Sequence, residues 1–374
     1  MVVPVLFDLK PKERLEELYD FRDEIDRLMT CYRDGRMALI LGLRRMGKSS
    51  LLRSFLNGYG IPHILIDARR IVVNEGRMNI RGFMNELSQA LTEFLRRRSG
   101  IRDRLLDVLR NIDGVSIGTS PLSVSISWRR GRTVLTALLD AVNRIAEGLG
   151  EKVVLAIDEV QELRALGLNI PMLLAYIYDN LGSIVAILTG SQVGMVYDTL
   201  RLDDPKSPLY GRAVVEVRLR RLSEEESMDF LRRGFEQYGI HVDDGVLRSA
   251  VNRLDGIIGW LTLFGWNYVH GNRDLDSIID TAARQEVEEL RSFITKSRAE
   301  ARYRAILRFV AEGLRRWSEI KRAVEAEEGI TVDSHNFTDL LTHLVKMGIL
   351  EKQGDTYRVA DPVMEYAIRK YLRP

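Results

Sequence analysis

Gly42-Leu43-Arg44-Arg45-Met46-Gly47-Lys48-Ser49 reads Gly-x4-Gly-Lys-Ser, and its neighbours give it a place in a fold. The preceding Met37-Ala38-Leu39-Ile40-Leu41 is an apolar run of strand length, and Ser50-Leu51-Leu52-Arg53-Ser54-Phe55-Leu56 has the apolar spacing of a helix facing a core. The octapeptide is therefore expected as the turn between a buried strand and a helix. Gly42 and Gly47 let backbone N–H groups converge at the helix N-terminus, where the peptide dipoles favour an anion. Such a loop binds a nucleoside triphosphate: Lys48 reaches the β- and γ-phosphates and Ser49 places its hydroxyl on Mg2+. Arg44, Arg45, Met46 and Ser50 are expected beside the same phosphates.

A parallel α/β sheet follows from the runs around this loop. Further strand-like segments are Ile64 to Asp67, Val153 to Asp158, Ile184 to Thr189 and Ala213 to Leu219, separated by helical patterns. An insertion at about 70–150 holds an amphipathic helix, Arg81 to Arg98, and an alternating segment, Gly114 to Trp128, that reads as a hairpin around Gly118-Thr119-Ser120-Pro121. From Ser223-Glu224-Glu225-Glu226 the pattern is helical only, opening with a serine N-cap and an acidic first turn. Near the C-terminus Tyr303 to Ala311, Trp317 to Ala326 and His335 to Met347 read as three helices. They precede a two-stranded wing formed by Ile349 to Lys352 and Thr356 to Val359. The expected organisation is a P-loop core over 1–218, a helical lid over 219–298 and a winged helix over 299–374.

The 374 residues are 45% apolar, ample for two or three domains with their own cores. Cys31 is the single cysteine, which excludes an internal disulfide framework and a thiolate zinc cluster. The five histidines show no metal-ligand spacing. A net charge of +2, from 55 basic and 53 acidic residues, gives no chain-wide attraction to nucleic acid. The charged N-terminal stretch is too short and interrupted for a signal peptide, and no apolar run reaches membrane-spanning length. A cytoplasmic protein with no membrane partner is expected.

Val153-Val154-Leu155-Ala156-Ile157-Asp158-Glu159 is an apolar strand ending in two carboxylates, the Walker B pattern. Asp158 is expected in the magnesium shell, and Glu159 is expected to polarise the attacking water. The strand Ile184 to Thr189 ends in Gly190-Ser191-Gln192, where Ser191, or with less support Thr189 or Gln192, is placed to orient that water.

With these motifs the chain resembles the archaeal ATPase family within the STAND branch of AAA+-like NTPases, over nearly its whole length. The resemblance is carried by the phosphate loop and Asp158-Glu159 together with Leu18-Tyr19-Asp20-Phe21-Arg22-Asp23-Glu24-Ile25, Pro208-Leu209-Tyr210-Gly211-Arg212 and Gly256-Ile257-Ile258-Gly259-Trp260-Leu261. It implies an adenine-side surface at Tyr19, Phe21 and Arg22, and an arginine at 212 for the γ-phosphate. It also implies a lid contact near Ile258, where relatives typically carry proline. ATP or ADP with Mg2+ is the implied ligand, and no Asn-Lys-x-Asp guanine motif is evident. The implied function is a slow ATPase working as a nucleotide-driven switch, with a protein partner or self-association through the helical or winged-helix domain. The alternative is a DNA-binding protein resembling origin-recognition AAA+ proteins, with nucleotide as a structural ligand. Against it, the expected third helix offers His335, Asn336, His343 and Lys346 beside Asp333 and Asp339, a thin basic surface for DNA.

Overall fold

The computed structural model describes residues 5–127, 133–295 and 297–372. Residues 1–4 of the N-terminal reading and Trp128 of the expected hairpin lie outside them. Nine strands occur among the described residues: β1 Met37–Leu41, β2 His63–Asp67, β3 Val115–Thr119, β4 Leu122–Ile126, β5 Val153–Asp158, β6 Ile184–Gly190, β7 Val214–Arg218, β8 Leu350–Gln353 and β9 Thr356–Val359. Five of them form one sheet in the order β2-β5-β6-β1-β7, every neighbouring pair parallel. Every residue of the central strands β1, β5 and β6 is buried, whereas exposure returns along the edge strands β2 and β7. This is the pattern of a sheet with helices on both faces, in which central strands have no solvated side.

Alternation along β1 divides the core. Ala38 and Ile40 face one apolar layer, where the helix Lys48–Gly58 inserts Leu51, Leu52, Phe55 and Leu56. Met37, Leu39 and Leu41 face the other, filled by the insertion between β2 and β5 together with the helical segments that follow β5 and β6. There the helix Ile80–Arg97 holds the β3–β4 hairpin by two buried hydroxyls. Thr92 Oγ1 accepts from the Val124 amide at 2.9 Å, and Ser88 Oγ accepts from the Ile126 amide at 2.9 Å. These bonds satisfy backbone donors on a strand edge that no further strand covers.

The helical block comprises Glu224–Glu236, Asp244–Leu254, Ile258–Val269 and Leu275–Ile294. Its first helix starts at a capping box, with Ser223 and Glu226 each bonding the other's backbone amide. The winged helix follows as Glu300–Ala311, Trp317–Glu328 and Ser334–Lys346, with β8 and β9 antiparallel. A further helix, Pro362–Tyr371, comes after the wing and returns to the helical block, where Asp280 accepts from Tyr366, Lys370 and Tyr371. The end of Ser334–Lys346 is seated on the ATPase core: Lys346 bonds Asp198 at 2.8 Å, and a Cβ on Gly194 would fall 2.6 Å from the Lys346 Cα. Among the described residues no helix is long and apolar enough to cross a membrane. Cys31 is a buried free thiol.

Besides the Asp280 bonds, a buried indole ties the helical block to the C-terminal region. The Trp260 indole donates to Asp361 at 2.8 Å, and Asp361 in turn caps the last helix through the Val363 and Met364 amides. Burial pushes the Asp361 carboxyl above its usual range, against the pull of these donors. Trp260→Phe keeps the aromatic face but removes the donor. We expect a loss of about 1–3 kcal/mol in denaturant unfolding, with faster proteolysis of the C-terminal region. Wild-type stability and cleavage would show that the bond does not hold the two regions together.

Candidate functional site

In a parallel sheet all C-terminal strand ends lie along one edge. The register pairs Leu41 with Gly190, Ile157 with Leu188 and Asp67 with Asp158. The loop after β1, the carboxylates ending β5 and the serine after β6 therefore meet, although they are far apart in sequence. Between this edge and the helical block lies a cavity of about 590 Å³.

At its polar end Lys48, Asp158 and Glu159 are 4%, 1% and 5% exposed. Lys48 Nζ donates to the Gly42 and Leu43 carbonyls at 3.0 and 2.6 Å. Burial lowers its pKa to about 8, with the charges of Glu159 and Asp158 acting in the opposite direction. Ser49 Oγ donates to Asp158 Oδ2 at 2.8 Å, and Thr189 Oγ1 donates to Asp158 Oδ1. Burial nonetheless raises the Asp158 pKa, those two hydrogen bonds opposing it. The paired oxygens of Ser49 and Asp158 fit Mg2+, a hard cation that takes one or two protein oxygens and fills its shell with water and phosphate.

Glu159 occupies the left-handed region at φ 59°, an uncommon conformation for a residue with a Cβ. Its amide donates to Thr189 Oγ1 at 3.0 Å. Its Oε2 accepts from the Ser191 amide at 3.0 Å, Ser191 Oγ at 2.7 Å and Gln161 Nε2 at 2.6 Å. Burial drives this carboxyl up, but the charge of Lys48, the Gln161 and Ser191 bonds and the charge of Arg69 hold it below its usual range. With Oε2 taken by three donors, Oε1 is left for a further partner.

The apolar end is lined by Leu18, Tyr19, Phe21, Phe230, Ile258 and Leu263 among others. Phe21 packs beside Gly47, where an added Cβ would sit 3.1 Å from the ring. Tyr19 is fixed to the helical block by its hydroxyl, which donates to Asp229 Oδ2 at 2.7 Å. Ile258 is the first residue of the helix Ile258–Val269. That is a position at which proline is well tolerated, so a helix can start there with either residue. The phosphate loop touches the block directly. The Gly259 amide donates to the Arg45 carbonyl at 2.9 Å, and a Cβ on Gly259 would meet that oxygen at 2.7 Å.

The structure thus brings Tyr19, Phe21, Arg44, Arg45, Gly47, Lys48, Ser49, Ser50, Glu159, Ser191 and Ile258 to one cavity, with Asp158 joined through Ser49. Four other expected residues lie elsewhere. Gly42 contributes through its carbonyl to Lys48, and Met46 is buried in the core beneath the loop. Arg22 opens the helix Arg22–Asp34 and is exposed. Arg212 precedes β7, and Met37 pairs with Val214 while Leu41 pairs with Arg218. It therefore stands at the N-terminal edge of the sheet, a strand length of about 16 Å from the edge that carries the loop. There its guanidinium binds Asp179, with Nε to Oδ1 at 2.9 Å, and also the Pro208 carbonyl. Arg44 and Arg45 reach the cavity but are held by acids of the helix Leu275–Ile294, Arg44 by Glu289 and Arg45 by Glu286. Arg45 also stacks over Trp260 at 3.8 Å. Among the groups that sequence reasoning missed are Gln161 and Arg69, which meet Glu159, and Glu286 and Glu289, which hold the loop arginines. Gln161 lies two residues beyond Glu159, close enough in sequence to have been noticed. Arg69 had no local signal.

Residues 18–262 match the family described as an ATPase domain predominantly from Archaea. Residues 297–360 match the C-terminal winged helix-turn-helix domain of MCM proteins. No curated protein matches the sequence. Among solved structures, a Walker-type ATPase of Pyrococcus abyssi is 34% identical, with a TM-score of 0.82 over 97% of this chain and 99% of that one. The ORC2 protein of Aeropyrum pernix, solved in ADPNP–ADP complexes, shares the fold at 12% identity and a TM-score of 0.61, over 98% of this chain and 96% of that one. The ATPase match spans more than half of the chain, and the Pyrococcus relative spans nearly all of it. The protein is therefore a member of the predominantly archaeal ATPase family, a parallel-sheet P-loop core followed by a C-terminal winged helix.

Proposed function

We propose that this protein binds ATP with Mg2+ and hydrolyses it slowly, using the nucleotide state to set the arrangement of its helical and winged-helix regions. The observation that carries the proposal is the convergence of Lys48, Ser49, Asp158, Glu159 and Ser191 at the polar end of a cavity whose other end offers aromatic and aliphatic side chains to a base. Lys48 would exchange two loop carbonyls for phosphate oxygens, a gain in charge complementarity. Ser49 and Asp158 would hold the metal, which would supply positive charge to offset that of the triphosphate. Glu159, kept ionised and fixed through Oε2, would accept a hydrogen bond from the attacking water at Oε1.

Switching needs contacts that differ between states. Arg44–Glu289 and Arg45–Glu286 supply them, since incoming phosphates compete with these acids for the same guanidinium groups. The competition would loosen the helix Leu275–Ile294, to which the last helix is bound. A DNA-reading role has less support. Among the described residues the exposed positions of Ser334–Lys346 are Ser334, His335, Asn336, Thr338, Asp339 and Thr342, while Lys346 is engaged by Asp198.

Lys48→Ala should weaken ATP affinity by about tenfold to a hundredfold in titration calorimetry, through loss of a charge-assisted contact in a water-poor site. Unchanged affinity would remove the phosphate-binding role of the loop. Glu159→Gln should keep nucleotide affinity and cut turnover by at least about a hundredfold, because an amide cannot take up a proton. Equal turnover in the variant would exclude Glu159 as the base. Arg212, standing at the far edge of the sheet, would serve the γ-phosphate only of a second copy of the chain. On that reading specific turnover rises with protein concentration and Arg212→Ala abolishes the rise; concentration-independent turnover leaves Arg212 as the partner of Asp179.

A further inference from the structure

Arg69 is the second residue of the helix Ala68–Glu75, which begins where β2 ends. Because Asp67 pairs in register with Asp158, the start of this helix stands beside the Walker carboxylates. Arg69 Nη2 lies 3.4 Å from both Asp158 Oδ2 and Ser49 Oγ, and Nη1 lies 3.9 Å from Glu159 Oε1. One guanidinium thus reaches the oxygen pair suited to the metal and the Glu159 oxygen not taken by Ser191 and Gln161.

These contacts are loose. All three, and the Arg69 Nε–Asp67 Oδ1 pair at 3.7 Å, exceed the distances of a close charge-assisted pair, and the Arg69 side chain is 53% exposed at the cavity wall. Its stem therefore has room to move. A divalent cation on Ser49 and Asp158 would repel a guanidinium at the same oxygens, so loading the site must displace Arg69. The neighbouring space is the polar end of the cavity, where a terminal phosphate would lie. Arg44 and Arg45 are already engaged by Glu289 and Glu286, and Arg212 is on the opposite edge of the sheet.

We propose that Arg69 is an exchangeable cation of this site. Without nucleotide it neutralises Asp158 and Glu159, and with Mg-ATP it moves from those oxygens to the γ-phosphate of the same chain's nucleotide. The assignment rests on the reading of the cavity as an ATP site and adds a residue that distinguishes triphosphate from diphosphate. A merely structural Arg69 would stabilise the empty site and be indifferent to the third phosphate.

The test is equilibrium binding of fluorescent ADP and of a fluorescent non-hydrolysable ATP analogue, each titrated against Mg2+, to wild type, Arg69→Met and Arg69→Gln. Both variants should bind ADP within about threefold of wild type and lose about tenfold or more of the preference for the triphosphate, the value of one charge-assisted contact. The Mg2+ concentration giving half-maximal analogue binding should also fall, since the competing cation is gone. A thermal melt without nucleotide establishes that each variant is folded; half-exposed Arg69 packs into no core, and two different replacements guard against a defect of either one. An unchanged triphosphate preference, or equal loss for both nucleotides, overturns the assignment. If wild type binds neither nucleotide, the reading of the cavity itself is overturned, which is a different result.

Discussion

Three ionisable groups, Lys48, Asp158 and Glu159, are buried within one small volume, and much of the local structure exists to make that tolerable. An isolated buried charge costs several kcal/mol or more unless it is paired and hydrogen-bonded. Each polar neighbour here answers that cost. The Gly42 and Leu43 carbonyls receive Lys48, Thr189 and Ser49 satisfy Asp158, and Ser191 with Gln161 saturates one oxygen of Glu159. The left-handed backbone at Glu159 belongs to the same solution, because it turns the chain at the strand end so that adjacent carboxylates point to different partners. Held this way, the three charged groups keep fixed positions at the strand ends.

The same cluster is mechanically connected to the rest of the molecule. Arg45 leaves the phosphate loop, stacks on Trp260 and pairs with Glu286, while its carbonyl receives the Gly259 amide. Trp260 passes the connection to Asp361, which starts the final helix, and that helix is bound to Asp280. A shift of the loop therefore has a continuous path of hydrogen bonds and packed rings to the winged helix. The third helix of that domain is meanwhile pinned to the core by Lys346 and Asp198, so its position is also part of this arrangement. Coupling of this kind needs contacts with two alternative partners, the role proposed above for the arginine pairs of the loop.

Arg69 and Arg212 illustrate how sheet direction governs which cations serve the site. Both flank strands of the same sheet. Arg69 follows β2 and is delivered to the functional edge, whereas Arg212 precedes β7 and is delivered to the other. In a parallel sheet the side of the strand on which a residue falls decides its edge, whatever its chemistry.

The phosphate loop, its flanking strand and helix, the Walker carboxylates and the wing were legible in the sequence, because each is a local pattern. Apolar runs with turn residues specify strands, 3.6-residue spacing specifies helices, and Gly-x4-Gly-Lys-Ser specifies a backbone geometry with its ligand chemistry. Ser191 was legible for the same reason, as a polar residue at the end of an apolar strand. Strand order and register were not in any local pattern, since they arise from which strand pairs with which. Strand pairing placed Arg69 on the carboxylates, strand direction turned Arg212 away, and the docking of the helical block set Glu286 and Glu289 against the loop arginines. The sequence by itself determined the elements and the chemistry they carry; tertiary structure decided which charges meet, because those meetings depend on a few ångströms between segments that the chain holds far apart.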